Sequence, residues 1–213
     1  MSTIADIRKD YKLKSLSESD VKPTATDQFT VWWQDAIDSA IDEVNALTLC
    51  TADMDGKPFG RIVLLKGYDE TGFVFFTNYN SNKGKQLMAN RQACMVFFWK
   101  ELERQVRIEG VINKVSDAES DEYFFSRPVG SQVGAWASPQ SSVIENRTVI
   151  EKNVDRYTEN FKTQPITRPQ HWGGYRLKPS AIEFWQGRSN RLHDRILYTL
   201  QENNQWKIER LAP

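Results

Sequence analysis

The sequence has few of the residues that most often bind metals or form disulfides. Two histidines and two cysteines occur in 213 residues. Cys50 and Cys94 lie in apolar, strand-like runs without the spacing of a zinc site, so we expect two buried, reduced thiols in a cytoplasmic protein. The shortage of ligands argues against metal catalysis, and we predict no metal site.

Other common signals are also missing. The formal net charge is zero, which argues against nucleic acid or an acidic membrane surface as a partner. No apolar run is long enough to span a bilayer, and the N-terminus lacks a basic region followed by an apolar one, so we predict neither a membrane span nor a secretory signal. A Gly-rich phosphate loop and a G-x-S-x-G motif are absent as well.

Aromatic residues, by contrast, are abundant. Seven Trp and eleven Phe are many for a chain of this size. Flat aromatic surfaces suit cores, subunit interfaces and ring-shaped ligands. The hydrophobic content of 39% and the charged content of 26% are those of an ordinary globular protein that can bury a core.

The apolar pattern predicts one domain with an N-terminal arm. Residues 1–25 are polar and cannot form a core, so we expect a partly mobile arm. Residues 28–44 have the 3–4 apolar spacing of a helix, with Asp27 as N-cap. The period then changes to two, and adjacent strands with tight turns follow. We therefore predict a mainly β (α+β) fold, a single antiparallel barrel domain over residues 26–213 with helices outside it.

The individual elements follow from periodicity, turn signals and capping boxes. An Asp-Gly turn at residues 54–57 separates the first two strands. We predict strands over residues 46–52, 59–68, 73–77, 93–99, 105–115, 172–177, 181–186, 196–201 and 206–211. Further helices are predicted over residues 82–90, from the capping box at residues 116–119 to Phe125, and after a second capping box at residues 142–145. An irregular stretch should begin at Pro128.

The stretch from Trp185 to Arg195 is the first candidate for chemistry. It holds three Arg, a Trp and His193, side chains that bind phosphates, carboxylates and planar rings. The alternative is a charged hairpin loop in which Asp194 pairs with an Arg. The stretch alone leaves both interpretations open.

Cationic residues in unusual places supply a second set of candidates. Arg61 and Lys66 lie at the two ends of a strongly apolar strand, where strand alternation puts them on opposite faces unless a bulge intervenes. A charge at the end of a buried strand usually marks a solvated strand end, which is the alternative explanation. Arg61 suits a bidentate phosphate contact, and Lys83, near the start of a short helix, could add another.

A third set has a similar character. Tyr123, Arg127 and Ser131 follow one another at a spacing of four and could converge on a phosphate, although taken alone the signal is weak. Two phosphate-binding sets, many aromatics and an Arg/His loop suit a protein that binds two phosphorylated planar molecules face to face. A flavin mononucleotide and a pyridine-type phosphate ester would need such an arrangement.

The sequence resembles the pyridoxine/pyridoxamine 5′-phosphate oxidase family over nearly its whole length, from about Arg8 to Pro213. Any one motif would be weak, but all of them occur in order. The motifs are Arg61-Ile62-Val63-Leu64-Leu65-Lys66, Leu102-Glu103-Arg104-Gln105-Val106, Ser126-Arg127-Pro128, Gly134-Ala135-Trp136, Gln140-Ser141-Ser142, Glu183-Phe184-Trp185-Gln186-Gly187, Arg191-Leu192-His193-Asp194-Arg195 and the ending from Trp206.

The resemblance implies an FMN-binding split β-barrel that works as a homodimer with its FMN sites at the subunit interface. The implied reaction oxidises pyridoxamine or pyridoxine 5′-phosphate at the 4′ carbon to pyridoxal 5′-phosphate. Hydride passes to flavin N5, and dioxygen reoxidises the flavin to give hydrogen peroxide. Small molecules are thus the expected partners, with neither nucleic acid nor membrane.

The resemblance also assigns roles to residues. The catalytic pair would be Arg191 and His193, which would orient the pyridine ring. The substrate phosphate would be held by Lys66, Tyr123, Arg127 and Ser131, and Arg8 and Tyr11 would close over the substrate as a lid. The FMN site would comprise Arg61, Ile62, Val63, Leu64, Leu65, Lys66, Phe76, Thr77, Asn82, Lys83, Gln105, Gln140, Ser141, Trp185 and Arg195.

Two positions depart from the family pattern. Asn82 stands where the family often has Arg, and Phe76 where Tyr is common, so we expect lowered FMN affinity at most. The alternatives to the oxidase are another split-barrel flavin oxidoreductase and a non-catalytic carrier of FMN or pyridoxal phosphate. A nucleic-acid-binding small barrel is disfavoured by the neutral charge.

Overall fold

A computed structural model describes residues 3–7 and 9–213. In that part of the chain, nine strands form one antiparallel sheet with five α-helices around it. The predicted lid residue Arg8 lies outside the described residues. None of the helices described is both long and apolar enough to cross a bilayer.

The first helix, α1, is displaced from its predicted position. It spans Ala25–Asp38, and the Thr24 side chain caps it by accepting from the backbone N–H of Asp27. The predicted Asp27 cap is therefore wrong, as is the predicted end of the helix. Ile41 and Val44 continue the apolar pattern past the helix because they pack against the core from the following turns.

The predicted strands are confirmed in outline, and the first and last are confirmed to the residue. The sheet order is β2-β1-β5-β6-β7-β4-β3, with β8 added to β7 and β9 to β8. The strands are β1 (Ala46–Ala52), β2 (Pro58–Leu64), β3 (Gly67–Asp69), β4 (Gly72–Asn78), β5 (Gln92–Trp99), β6 (Arg104–Lys114), β7 (Trp172–Gln186), β8 (Asp194–Leu200) and β9 (Trp206–Leu211).

The predicted strand over residues 59–68 is in fact two strands, and the break between them shapes the fold. Strand β2 pairs with β1, whereas β3 pairs with β4 at the other end of the sheet. In the two-residue link, Leu65 N–H donates to Asn45 O and Lys66 N–H to Val74 O, both at 2.8 Å. The link thus joins the two sheet edges, and the sheet becomes a split barrel. We call this junction the seam.

The strands predicted over residues 172–177 and 181–186 are one long strand, β7. It continues through Pro179 because the pairing register with β6 shifts between Glu109 and Gly110. A bulge of this kind accommodates a proline that cannot donate to the ladder. The first part of β7 pairs with β4 and the last part with β8.

The remaining helices are α2 (Asn82–Ala89), α3 (Asp117–Ser126), α4 (Val129–Ala137) and α5 (Thr148–Thr163). Helix α4 replaces the irregular stretch predicted at Pro128, since proline is tolerated at a helix start. The predicted capping box at residues 142–145 lies in a loop before α5 and does not begin a helix.

The core fills the barrel with aromatic side chains around Phe29 of α1. Its fully buried ring lies 4.9 Å from the rings of Tyr68 and Phe73 and 5.4 Å from that of Phe97, measured between centroids. The cysteines were expected to be buried, but Cys50 and Cys94 are only half-buried free thiols that face each other across β1 and β5.

Candidate active site

The first cluster of predicted site residues lies near the seam. The Arg61 guanidinium on β2 donates to Thr51 Oγ1 at 2.6 Å and to Gln86 Oε1 at 2.9 Å. The Lys83 ammonium near the start of α2 donates to Thr77 Oγ1 at 3.2 Å and to Gln140 Oε1 at 3.1 Å. The predicted residues Arg61, Thr77, Lys83 and Gln140 therefore form one cluster, which brings together β2, β4, α2 and the loop after α4.

The positive charge of this cluster is available to bind an anion. Burial lowers the pKa of Arg61, and burial together with the nearby Arg61 lowers the pKa of Lys83. The hydrogen-bond partners described for both side chains are neutral oxygens. Two cations that repel each other and lack a carboxylate partner in the described contacts favour a bound phosphate.

Arg127 stands at the end of α3, beside the first cluster. Its guanidinium lies 4.6 Å from the centroid of the Trp172 ring. Its Nη1 atom is buried and has no hydrogen-bond partner among the described residues, and burial lowers its pKa. A cavity of about 210 Å³ is lined by Arg127, Ser131 and Gln140. A buried donor without a partner, on a residue that lines a polar cavity, indicates a binding site for an acceptor.

Tyr123 and Lys66 line a neighbouring cavity of about 350 Å³. The Tyr123 ring stacks on Phe76 at 4.0 Å, and Phe76 stacks on Trp172 at 5.6 Å. The predicted phosphate set of Lys66, Tyr123, Arg127 and Ser131 is thus divided between two cavities that meet at this aromatic stack. We call this set, together with the Arg61 cluster, the first half-site.

The rest of the predicted FMN segment surrounds these residues. Leu65 faces the core at 4% exposure, whereas Ile62 is 66% exposed on the outer face of the sheet. Val63 and Leu64 are half-buried. Asn82 and Ser141 are exposed, and Ser141 has a left-handed φ of 70°.

Three other predicted flavin contacts lie on the outer face of the sheet, away from the first half-site. Gln105 on β6, Trp185 on β7 and Arg195 on β8 are direct cross-strand neighbours. Arg195 Nε donates to Glu183 Oε1 at 2.7 Å, and Arg107 also donates to that carboxylate at 2.7 Å. Burial alone would raise the pKa of Glu183, but these two guanidinium groups outweigh it and lower the pKa.

The loop after β7 places His193 against Trp185. Their ring centroids are 4.6 Å apart, and the Tyr11 ring lies 5.9 Å from that of His193. His193 Nδ1 accepts from the backbone N–H of Arg188 at 3.1 Å, so the neutral ring carries its proton on Nε2. Burial, and then the nearby Arg191, lower the pKa of His193.

Arg191 is exposed and has a left-handed φ of 62°. Such a backbone conformation is costly for a residue other than glycine and is often found at functional sites. Tyr11, Arg188, Arg191 and His193 line a cavity of about 550 Å³. We call this cavity, with Gln105, Trp185 and Arg195, the second half-site.

The alternative of a charged hairpin loop also has structural support. Asp194 forms ion pairs with Arg188 at 3.2 Å and Arg210 at 2.9 Å, and it accepts from the backbone N–H of Leu16 at 3.0 Å. The ion pairs and the cavity coexist, because Asp194 engages these groups while Arg191 and His193 line the cavity.

The two half-sites lie at opposite ends of β7. Trp172, whose ring contacts Arg127 of the first half-site, is the first residue of that strand, and Trp185 of the second half-site is the fourteenth of fifteen. At ~3.3 Å per residue they are roughly 40 Å apart along the strand. The described chain therefore does not unite the predicted flavin contacts in one cavity.

Sequence reasoning assigned no role to several residues of these clusters. Glu183 is 3% exposed and holds Arg195, Gln86 holds Arg61, and Arg188 fixes the His193 ring. A carboxylate inside an apolar strand is a usable signal, since a buried charge needs a cationic partner. The partnership of Gln86 with Arg61 depends on the packing of α2 on β1 and leaves no such signal.

The fold defines a class of protein. The structure of PhzG from Burkholderia lata 383 in complex with tetrahydrophenazine-1-carboxylic acid matches with a TM-score of 0.87 and 28% identity, over 94% of this chain and 99% of that one. A pyridoxamine 5′-phosphate oxidase-related, FMN binding protein from Nostoc punctiforme shares the fold, with a TM-score of 0.70 and 16% identity over 91% of this chain and 100% of that one. The chain is a split-barrel protein.

Sequence comparison establishes the family. A family model described as pyridoxamine 5′-phosphate oxidase matches residues 33–161, and one described as pyridoxine 5′-phosphate oxidase C-terminal dimerisation region matches residues 172–213. A pyridoxine/pyridoxamine 5′-phosphate oxidase from Paraburkholderia phymatum is 57% identical over 213 residues, all of both chains. One from Nostoc sp. is 55% identical over 211 residues, 99% of both chains. The chain belongs to the pyridoxamine 5′-phosphate oxidase family.

This result confirms the resemblance seen in the sequence. The match to a dimerisation region supports the expected homodimer. That region comprises β7, β8 and β9, and therefore includes most of the second half-site.

Proposed function

We propose that this protein is an FMN-dependent oxidase that converts pyridoxamine and pyridoxine 5′-phosphate to pyridoxal 5′-phosphate in vitamin B6 biosynthesis and salvage. The observation that carries the proposal is a cationic cluster beside a cationic cavity, with one side chain common to both. Gln140 accepts from Lys83 in the cluster and lines the cavity with Arg127 and Ser131. Two phosphates bound side by side would place their rings next to each other.

The donor set of the first half-site fits a flavin mononucleotide. In the proposal, Arg61, Lys83 and Ser141 hold its phosphate and ribityl chain, and the backbone of residues 62–65 lies along its ring system. When bound, FMN supplies the redox chemistry, which is acceptance of a hydride from the 4′ carbon of the substrate and reoxidation by dioxygen to give hydrogen peroxide. The FMN binding protein that shares the fold supports this choice of cofactor.

The protein's own residues would bind and orient the substrate. Lys66, Tyr123, Arg127 and Ser131 bind the phosphate, and the unpaired Nη1 of Arg127 gains an acceptor there. His193 is neutral near pH 7 because its pKa is lowered, so its Nε2–H can donate to the substrate. Arg191 contributes charge and orientation rather than proton transfer.

We further propose that each complete site combines the first half-site of one chain with the second half-site of another. The separation along β7 prevents one chain from supplying both half-sites of the same site. In a symmetric dimer, the first half-site of each chain meets the second half-site of the other, which gives two complete sites. Gln105, Trp185 and Arg195 would thereby join the flavin, and Tyr11, Arg191 and His193 the substrate. Residues 26–213 would form the single domain, and residues 1–25 the arm that carries Tyr11.

Mixing two impaired variants tests the shared site, with activity measured at a substrate concentration well below the wild-type KM. Under this condition Arg127→Met impairs the first half-site and Arg191→Ala the second. In a heterodimer of the two, one site carries both substitutions and the other carries none. Unfolding and refolding an equal mixture should therefore restore about a quarter of the wild-type activity. A mixture with no more activity than its separate components would refute the shared site.

The activity itself has a direct test. FMN-loaded protein is incubated with pyridoxamine 5′-phosphate in air, and pyridoxal 5′-phosphate and hydrogen peroxide are measured. Both products are expected. A yellow protein that forms neither would refute the oxidase and favour a non-catalytic FMN carrier. Arg191→Ala should retain FMN and lose turnover, and loss of flavin on this change would place Arg191 in the cofactor site instead.

A second candidate rests on the similarity to PhzG. The ligand in that structure is tetrahydrophenazine-1-carboxylic acid, which carries a carboxylate and no phosphate. The half-buried Arg127 and its neighbours Tyr123 and Ser131 form a set better suited to a phosphate. Turnover of a reduced phenazine carboxylic acid, with none of pyridoxamine 5′-phosphate, would favour this second function.

A further inference from the structure

Glu103 is a buried carboxylate to which neither cofactor nor substrate binding assigns a role. It is 2% exposed and lies between a short helical turn and the first residue of β6. Its backbone is left-handed, with φ 55° and ψ 40°. A glutamate is uncommon in this conformation, so a specific use of its side chain is expected.

The Glu103 carboxylate holds the N-terminal arm. Its Oε2 accepts from the backbone N–H groups of Lys12 at 2.8 Å and Leu13 at 3.1 Å. Its Oε1 pairs with Lys9 Nζ at 3.2 Å. These three residues flank Tyr11, whose ring lines the cavity of the second half-site beside His193.

The backbone of Glu103 also binds Gly187, which lies against the Tyr11 side chain. The backbone oxygen of Glu103 accepts from Gly187 N–H at 2.7 Å. A Cβ atom on Gly187 would lie 2.7 Å from Cγ of Tyr11 and 2.9 Å from its Cβ. These atoms are at the base of the side chain, so they could move away only if the arm moved too. Gly187 therefore provides the space that the Tyr11 ring occupies.

We propose that Glu103 and Gly187 are positioning residues for Tyr11, a role that rests on the proposed function in which Tyr11 covers the substrate. Glu103 fixes the arm on one side of the ring through its carboxylate, and it fixes Gly187 on the other side through its carbonyl. Neither residue lines the cavity itself. We call this pair the clasp.

The first test needs no turnover. In Glu103→Gln, the charge that holds the Lys12 and Leu13 amides is lost while the shape is kept. Hydrogen exchange at these two amides should become about tenfold faster or more, because hydrogen bonds to a charged group are strong. The matched control is Glu101→Gln, an exposed carboxylate two positions away, which should leave exchange unchanged. Equal exchange in both variants, or no protection in the wild type, would refute the clasp.

The second test connects the clasp to substrate binding through a mutant cycle. Glu103→Gln and Gly187→Ala should each raise the KM for pyridoxamine 5′-phosphate about three- to tenfold and leave kcat and FMN affinity nearly unchanged. In a Tyr11→Ala background neither should have a further effect, because the ring that they position is gone. Full additivity would refute a role through Tyr11. If the wild type does not oxidise this substrate, the proposed function fails, and the exchange test still decides the clasp.

Discussion

The buried, unpaired Nη1 donor of Arg127 leads to a quantitative prediction. We consider Arg127→Met, which removes the charge and keeps an apolar side chain of similar length against Trp172. A hydrogen bond between a charged group and a phosphate contributes ~1.5–3 kcal/mol. With a factor of ten for each ~1.4 kcal/mol, the KM for pyridoxamine 5′-phosphate should rise about 10- to 100-fold.

The same substitution should have little effect on stability. The unpaired buried Nη1 donor costs the free protein ~1–3 kcal/mol, and the cation–π contact with Trp172 stabilises it by ~0.5–2 kcal/mol. The two terms oppose each other. The free energy of unfolding in urea should therefore change by less than ~2 kcal/mol, in either direction.

Arg168 provides the matched control, because it also approaches Trp172 but is fully paired. Its guanidinium donates to Asp121 at 2.6 Å, to Asp117 at 2.8 Å and to the Trp172 backbone oxygen at 2.7 Å. Arg168→Met should destabilise the fold by ~1–3 kcal/mol and leave the KM unchanged. A phosphate contact of Arg127 is refuted if Arg127→Met behaves like Arg168→Met, with lost stability and an unaltered KM at saturating FMN.

Three further predictions concern pH and packing. The pKa of His193 lies below its ordinary 6.5, so the decrease of kcat/KM on the acid side should occur below pH 6.5 and should disappear in His193→Asn. Because the unfolded chain binds this proton more readily, the contribution of His193 to the free energy of unfolding should be lost as the pH falls below 6.5. The pKa of Lys83 lies below 10.5, so the Kd for FMN, measured by fluorescence titration, should begin to rise at a lower pH than an ordinary lysine would give, and Lys83→Gln should remove this rise. Phe29→Ala should lower the free energy of unfolding by ~3–5 kcal/mol in a urea titration, and a loss below ~1 kcal/mol would contradict the central place given to this ring.

Most of the sheet could be predicted from the sequence, because the alternation of apolar and polar residues and the identity of turn residues report local structure directly. The Asp-Gly turn is one case, since Gly56 has the positive φ of 80° that such turns need. The break between β2 and β3 could not be predicted, because an unbroken apolar run carries no information about a change of pairing partner. The continuity of β7 through Pro179 depends on a bulge in β7 itself, where Ser180 is left out of the register between Pro179 and Ala181, and the periodicity of that segment resembles a break between two strands.

The candidate site was predicted residue by residue through resemblance, and the structure adds how those residues are grouped. Arg61 and Lys83 meet near the seam, whereas Trp185 and Arg195 lie at the far end of β7. Spacing along the chain could not reveal this division, since it depends on the course of a strand through three dimensions. The supporting role of Glu103 was also hidden, because its carboxylate binds the Lys9 ammonium and two backbone N–H groups of a segment ninety or more residues away.

The seam has a consequence for how this protein responds to the loss of its ligand. The two sheet edges are held together there by a two-residue link rather than by a full ladder, so a split barrel should open at this place before it opens elsewhere. A flavin lying along residues 61–66 would span the same junction. Its binding free energy would then stabilise the seam against opening, and the cofactor would contribute to the stability of the fold as well as to the reaction.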